Sequence, residues 1–196
     1  MKFSNATFVK SCSKPKDFPA CECPEFAFFG RSNTGKSSLL NMLLGRKNLV
    51  KTGSRPGMTQ LVNFFNVDGK ASFADLPGYG YAPAPVKGKF LPMIKSYAEH
   101  RENLALAFLL IDIRRTPDEQ EKEIISMLTD KEISVAIVLT KCDKVSGNEK
   151  TNSVTRISKA LGLSRDSFFF SSVLSGEGKK ELRGIISKTI FGSSNT

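Results

Sequence analysis

Long apolar runs are missing from this sequence. The longest, Leu104 to Ile113, contains Asp112 and falls far short of the roughly 20 residues that span a bilayer core, so it reads as a buried strand rather than a membrane segment. Residues 1–16 carry lysines but no apolar central stretch and no small-residue cleavage site, which argues against a secretory signal and leaves the cytoplasm as the expected compartment. Cysteine is scarce. Cys12, Cys21, Cys23 and Cys142 are the only four in 196 residues, and a chain of this length has core enough to fold without a disulfide framework, so reduced thiols are expected. A zinc site built from Cys12, Cys21 and Cys23 lacks the fourth ligand that a tetrahedral structural site wants. Acidic residues are also the minority, 19 against 29 Lys and Arg. The resulting formal charge of +10 favours a polyanionic partner such as RNA, while a merely solvated basic surface carries the same charge.

What is present suits one packed domain: the hydrophobic fraction of 40% and charged fraction of 24% exclude disordered and fibrous classes. Six apolar, β-rich runs stand out, Glu25 to Phe29, Gln60 to Val67, Ala71 to Asp75, Leu104 to Ile113, Ser134 to Thr140 and Ser167 to Phe170. Asp68-Gly69 between the second and third predicts an antiparallel hairpin, and the helical stretches between the others predict parallel pairing. The expected fold is therefore α/β, a six-stranded mostly parallel sheet with one antiparallel hairpin strand and helices on both faces. Residues 1–23 are read as an N-terminal strand or extension packed on a domain of residues 24–196. Thr116-Pro117-Asp118-Glu119 reads as a capping box with proline at the first helical position, opening a helix to about Thr129. Leu182, Ile185, Ile186 and Ile190 form one apolar stripe on a last helix starting near Gly178. Two Gly-, Pro- and Lys-rich segments, Arg46 to Thr59 and Leu76 to Lys89, lack periodicity and are expected to be long functional loops.

The strongest chemistry lies after the first run. Gly30-Arg31-Ser32-Asn33-Thr34-Gly35-Lys36-Ser37 is a G-x-x-x-x-G-K-S loop leading into a helix at Ser38. Its glycines let the backbone curl so that N–H groups face phosphate oxygens, helped by the helix N-terminus. Lys36 is placed to reach the β- and γ-phosphates, and Ser37 to ligate a magnesium ion shared with them. Asp75-Leu76-Pro77-Gly78 ends the third run, offering a carboxylate that holds a magnesium-bound water and a glycine N–H for the γ-phosphate. Thr59 is the expected second direct magnesium ligand. Thr140-Lys141-Cys142-Asp143 follows the fifth run. The Asp143 carboxylate accepts from guanine N1–H and the exocyclic amine, whereas adenine leaves it unpaired. Phe170-Ser171-Ser172 ends the sixth run, where a backbone N–H can meet the guanine carbonyl.

These residues resemble the translation-factor-related GTPases and, among them, the EngB group. The resemblance rests on Gly30 through Ser38, Pro56-Gly57-Met58-Thr59-Gln60 with Leu61 beside it, Asp75 through Ala82, and Ile111-Asp112-Ile113-Arg114, covering most of the chain from Pro24. Met58 stands where the group carries Arg or Lys, and Phe90 where it often has Trp. The resemblance implies a Ras-like fold, a magnesium-dependent GTPase cycling between GTP and GDP, a part in assembling the large ribosomal subunit on its rRNA and proteins, and a link to cell division and septation. It implies no membrane partner, and nothing suggests more than a monomer. Lys36, Thr59 and Gly78 would carry the catalysis. Tyr79 stands where Ras-like enzymes commonly have a water-orienting glutamine, which predicts slow intrinsic hydrolysis. Asn33 resembles an asparagine that some related GTPases use to bind potassium, and it serves equally as a loop-stabilising residue. Lys87, Lys89, Arg114, Arg115, Lys179, Lys180 and Arg183 are candidates for RNA phosphate contacts. The rival reading is an RNA-docking module that holds GTP structurally. A tRNA-modifying GTPase would need an RNA-binding domain for which little chain remains after Ile190, and Asp143 disfavours an ATPase.

Overall fold

A computed structural model describes residues 3, 5–50, 61–80 and 90–192. Its chain order is β1 (Ala6–Cys12), β2 (Glu25–Gly30), α1 (Lys36–Leu44), β3 (Val62–Val67), β4 (Ala71–Asp75), α2 (Phe90–Glu99), β5 (Leu104–Asp112), α3 (Glu119–Thr129), β6 (Val135–Thr140), α4 (Gly147–Leu161), β7 (Phe168–Phe170) and α5 (Lys179–Gly192). The sheet runs β1-β3-β4-β2-β5-β6-β7. Pairing is parallel from β4 through β2, β5 and β6 to β7, and antiparallel for β3 with both β4 and β1.

The sheet has seven strands where six were expected. The extra strand, β1, lies on the sheet edge, and a register shift between Phe8 and Lys10 breaks its alternation. It lies within residues 1–23, read as a strand or extension, and because Phe8 and Val9 stay about half exposed no apolar face marks its place in the sheet. The antiparallel β3–β4 hairpin is as expected: Asp68 and Gly69 take positive φ, 55° and 66°, and Lys70 N–H closes the turn on Val67 O at 3.0 Å, with strand pairing resuming at Val67 and Ala71. The chain before β1 closes over this turn through a reciprocal pair of bonds, Asn5 N–H to Asp68 Oδ1 and Asp68 N–H to Asn5 O, each 2.8 Å.

Every residue of β2 is buried, because both its faces and both its edges are covered. One face carries Phe26, Phe28, Phe73 and Phe108 against Leu39, Leu40 and Leu43 of α1 and Leu182 and Ile186 of α5. The other carries Phe29, Phe64, Leu109 and Ile111 against Ile94 and Tyr97 of α2, Ile124 and Leu128 of α3, and Ile157 of α4. The foot of β2 holds a buried polar knot. The Glu25 carboxylate accepts from Arg101 Nε at 2.7 Å, from Arg101 Nη2, from Ser72 Oγ at 2.7 Å and from the Tyr97 hydroxyl at 2.5 Å.

The helix at residue 119 begins slightly later than expected. Asp118 is its N-cap, accepting from Gln120 N, and the box is completed by Glu121, whose side chain takes the Asp118 N–H. Pro117 precedes the cap instead of opening the first turn. The cysteine expectation also fails in part. Cys21 and Cys23 are joined by a disulfide, while Cys12 and Cys142 are free and buried. Two thiols separated by a single residue are brought together by the local path of the chain, which cysteine counting does not register. No helix among the described residues is long and apolar enough to cross a membrane.

Candidate functional site

Chain connections from β2 run to opposite sides of the sheet, through β3 to its neighbour β4 and later to its other neighbour β5. Open α/β sheets bind ligands beside such a point, at the C-terminal ends of the strands. The G-x-x-x-x-G-K-S loop occupies that position, between Gly30 at the end of β2 and Lys36 at the start of α1. A Cβ at Gly30 would lie 3.0 Å from the Leu110 carbonyl oxygen, a tight approach that glycine avoids where the loop leaves the sheet. Asn33 and Gly35 adopt left-handed φ of 64° and 96°, which curls the backbone. No side chain caps α1, so its first N–H groups face the loop interior without a protein cap.

Other strands brace this loop. Thr140 Oγ1 donates to Thr34 O at 2.7 Å, and Lys141 Nζ reaches Asn33 O at 2.6 Å and Asp112 Oδ2 at 3.0 Å. Asp112 also accepts from Arg114 Nε at 2.9 Å and from its N–H at 3.1 Å. Burial alone would raise the Asp112 pKa, but the bonds from Arg114 and Lys141 outweigh it and bring the value down to about 2. Lys36 and Asp75, from α1 and the end of β4, form an ion pair. Ser37 and Ser38 follow on the first turn of α1.

On the far side of the loop, Asp143 lies in a single 3-10 turn, Cys142–Lys144. Ser172 Oγ donates to its Oδ1 at 2.6 Å, and this bond is the leading cause of its lowered pKa. Cys142 N–H donates to Ser171 O and Ser171 N–H to Leu139 O, which ties the end of β6 to the end of β7 beside Phe170. The Ser172 N–H is engaged by Glu177 O at 3.2 Å. The next amide, Val173 N–H, makes no hydrogen bond among the described residues. Residue 178 must be glycine for this loop to close, since a Cβ there would fall 1.9 Å from the Phe170 carbonyl oxygen.

Residues 25–141 match a family model described as 50S ribosome-binding GTPase. The chain is 48% identical over 184 residues to the "Probable GTP-binding protein EngB" of Geobacter metallireducens, covering 93% of this chain and 90% of that one. The chain belongs to the EngB family of GTP-binding proteins. A crystal structure of another GTP-binding protein engB superposes with a TM-score of 0.71 at 22% identity, over 86% of this chain and 99% of that chain. A structure of Era in complex with MgGDPNP and nucleotides 1506-1542 of 16S ribosomal RNA superposes with a TM-score of 0.62 at 25% identity, over 87% of this chain and 58% of that one. The EngB chain is thus a GTPase on a Ras-like α/β fold.

Two loops of this EngB protein are only partly described. Gly57, Met58, Thr59 and Gln60, with Lys87 and Lys89, lie outside the described residues, and Leu61 is half-buried just before β3. After β4, Leu76 is buried and Pro77 half-buried, and Gly78 then presses on the phosphate loop: a Cβ there would meet Ser32 Oγ at 2.9 Å and Ser32 N at 3.0 Å. Arg31 directs its guanidinium away from the loop, to Asp118, Gln120 and Glu121. Tyr79 is buried and donates its hydroxyl to Glu121 Oε1 at 3.1 Å. Burial, and then the Glu121 carboxylate, push the phenol pKa upward, so it remains a protonated donor. Glu121 and Val173 were not singled out from the sequence, and Asp112 was named only within the Ile111-Asp112-Ile113-Arg114 resemblance, without a role. The recognisable trace of Glu121 is its place three residues after the cap Asp118, and of Asp112 its place as a charge closing an apolar strand. Among the described residues no three His, Cys, Asp or Glu side chains gather as a metal cluster, and the Cys21–Cys23 bridge removes two of the three cysteines considered for zinc.

Proposed function

We propose that this EngB-family GTPase binds GTP with Mg2+ at the braced loop and hydrolyses it slowly, as a switch in assembly of the large ribosomal subunit, with normal cell division and septation depending on it. The observation that carries the reading is the convergence of two strand ends on one loop, Lys36 beside Asp75 and Lys141 on Asn33, with Asp143, two residues after Lys141, propped by Ser172. In this reading residues 24–196 form the G domain with residues 1–23 packed on it, acting in the cytoplasm as a monomer. Loop N–H groups from Gly30 to Ser38 cradle the phosphates, and Lys36 exchanges Asp75 for the β- and γ-phosphates. The donors Ser37, Thr59 and Asp75 are hard oxygens, which fit magnesium and not a soft metal. Ser37 and Thr59 would ligate the ion directly and Asp75 through a water. When bound, it neutralises charge on the phosphate oxygens. Gly78 offers its N–H to the γ-phosphate, and Thr59 and Gln60 order the preceding loop around it. Asp143 selects guanine, the Lys141 stem lines the base and ribose, and, with the Ser172 amide engaged, the Val173 N–H meets the guanine carbonyl.

Slow turnover follows from Tyr79: its hydroxyl is held by buried Glu121 and does not orient a water. A ribosomal particle, or a potassium ion beside Asn33, then supplies the acceleration. The basic surface and the family description of 50S ribosome binding support the ribosomal partner. Calorimetric titration with GTP, GDP and ATP, with and without EDTA, followed by co-sedimentation with large and small ribosomal subunits, tests the reading. Guanine-selective, magnesium-dependent binding and co-sedimentation with the large subunit in the GTP state are expected. Equal affinity for ATP would refute the base assignment. The burial of Tyr79 also suits a second reading, a ribosome-docking module with GTP as a structural ligand, for which turnover would stay absent even on the particle.

A further inference from the structure

One buried carboxylate joins the phosphate loop to the segment after Gly78 and to α3. Glu121 is 1% exposed, yet its two oxygens serve three elements. Oε2 takes the Asp118 N–H at 2.8 Å and so closes the cap of α3, while Oε1 takes Arg31 Nε and the Tyr79 hydroxyl, both at 3.1 Å. Arg31 and Tyr79 also pair in an isolated parallel bridge, with Ser32 N–H on Tyr79 O at 2.8 Å and Tyr79 N–H on Gly30 O at 3.4 Å. The Arg31 guanidinium lies 5.7 Å from the Tyr79 ring centroid, and that ring packs on Phe90, the first residue of α2, at 4.4 Å. Tyr79 therefore sits where the phosphate loop, α2 and α3 meet, immediately after the glycine whose backbone touches Ser32.

We propose that Glu121 is a positioning residue for the nucleotide switch: by fixing Tyr79 it holds Gly78 ready for the γ-phosphate and sets how strongly the protein prefers GTP over GDP. The inference rests on the reading above that Gly78 contacts the γ-phosphate. With the clamp intact, the segment is already ordered when GTP arrives. Without it, GTP binding must order the segment, which lowers apparent affinity for GTP alone, because GDP lacks the group that Gly78 meets. The same contacts carry the nucleotide state outward to the exposed start of α3, where Asp118 and Glu119 face solvent.

The test compares Tyr79→Phe and Glu121→Gln with the parent for binding of a fluorescent non-hydrolysable GTP analogue and of fluorescent GDP, with thermal midpoints measured in parallel. Tyr79→Phe removes only a hydroxyl from a buried ring, and glutamine at residue 121 keeps a box partner for the α3 cap, so both variants retain the fold. Each is expected to weaken the GTP analogue at least about fivefold while GDP affinity stays within about twofold, and the double variant to lose no more than the larger single effect. Equal loss for both nucleotides, unchanged GTP affinity, or tighter GTP binding would overturn the proposal and reduce Glu121 to a structural clamp. Gly78→Pro, which removes the N–H assigned to the γ-phosphate, separates the two levels in the same assay. If it leaves the GTP to GDP ratio unchanged, the γ-phosphate reading has failed, and if only that variant shifts the ratio, the Glu121 proposal alone has failed.

Discussion

Asp112 closes β5 between two cations, and its protonation links the bracing of the nucleotide loop to pH. Its pKa is depressed from the usual 3.8 to about 2, so its contribution is fully present above the unfolded value and is lost as pH falls through the folded one. That contribution is about 2 kcal/mol at neutral pH. Asp112→Asn is expected to lose it at neutral pH and to flatten the decline in urea stability between about pH 4 and 2, whereas the parent retains that acid limb. Asp143 makes a sharper chemical prediction. In the proposed reading its carboxylate accepts from guanine, so Asp143→Asn should weaken GTP at least about 100-fold while admitting xanthosine triphosphate, whose ring carbonyl accepts from the new amide. Competition titration with both nucleotides reads the exchange. Lys36, Asp75 and Asp143 were named from the sequence because the chemistry proposed for them is carried by residue type at fixed spacing. Glu121 and Asp112 received no role from the sequence, since beside their local partners Asp118 and Arg114 each meets a distant one, Tyr79 for Glu121 and Lys141 for Asp112, that only the folded sheet brings close.

At the scale of elements, the parallel core was legible because β2, β5 and β6 are continuous apolar runs, as strands buried on both faces must be. The Asp68-Gly69 turn was equally clear. β1 was anticipated only as a strand or extension within residues 1–23, its exposed middle leaving its pairing unmarked, and the start of α3 was misplaced because Thr116 and Asp118 are both competent caps and only geometry chooses between them. Two predictions belong here. Arg101→Ala leaves the Glu25 carboxylate buried beside Tyr97 and Ser72 without its counter-ion, and should cost about 3–5 kcal/mol in urea unfolding. Nucleotide affinity of the folded fraction should hardly change, since Glu25 begins β2 and the phosphate loop follows its other end. Gly178→Ala acts oppositely. The Phe170 carbonyl forbids the methyl, so the loop carrying Ser172 must shift, and GTP and GDP should both weaken at least about tenfold.

Across the whole molecule, the sheet order gathers the loop after β2, the Asp75 segment after β4, Asp112 at the end of β5, Asp143 after β6 and Ser172 after β7 at one edge. That gathering brings motifs scattered over about 140 residues of sequence to one candidate site. The net charge of +10 then bears on the partner: a protein that meets ribosomal RNA through phosphate contacts should release from large subunits steeply as salt rises. Sequence reading reached this far because charge and motifs are additive properties of the chain. It missed the Cys21–Cys23 bridge because that depends on how one short segment turns. The central claim is that the braced loop hydrolyses GTP as a switch read by the large ribosomal subunit. Multiple-turnover GTP hydrolysis, measured in potassium and in sodium with and without purified large subunits, tests it most directly. Slow intrinsic turnover raised at least about tenfold by the subunits is expected, with a further dependence on potassium if Asn33 helps hold that ion. Tight GTP binding with no turnover under any of the four conditions would contradict the account.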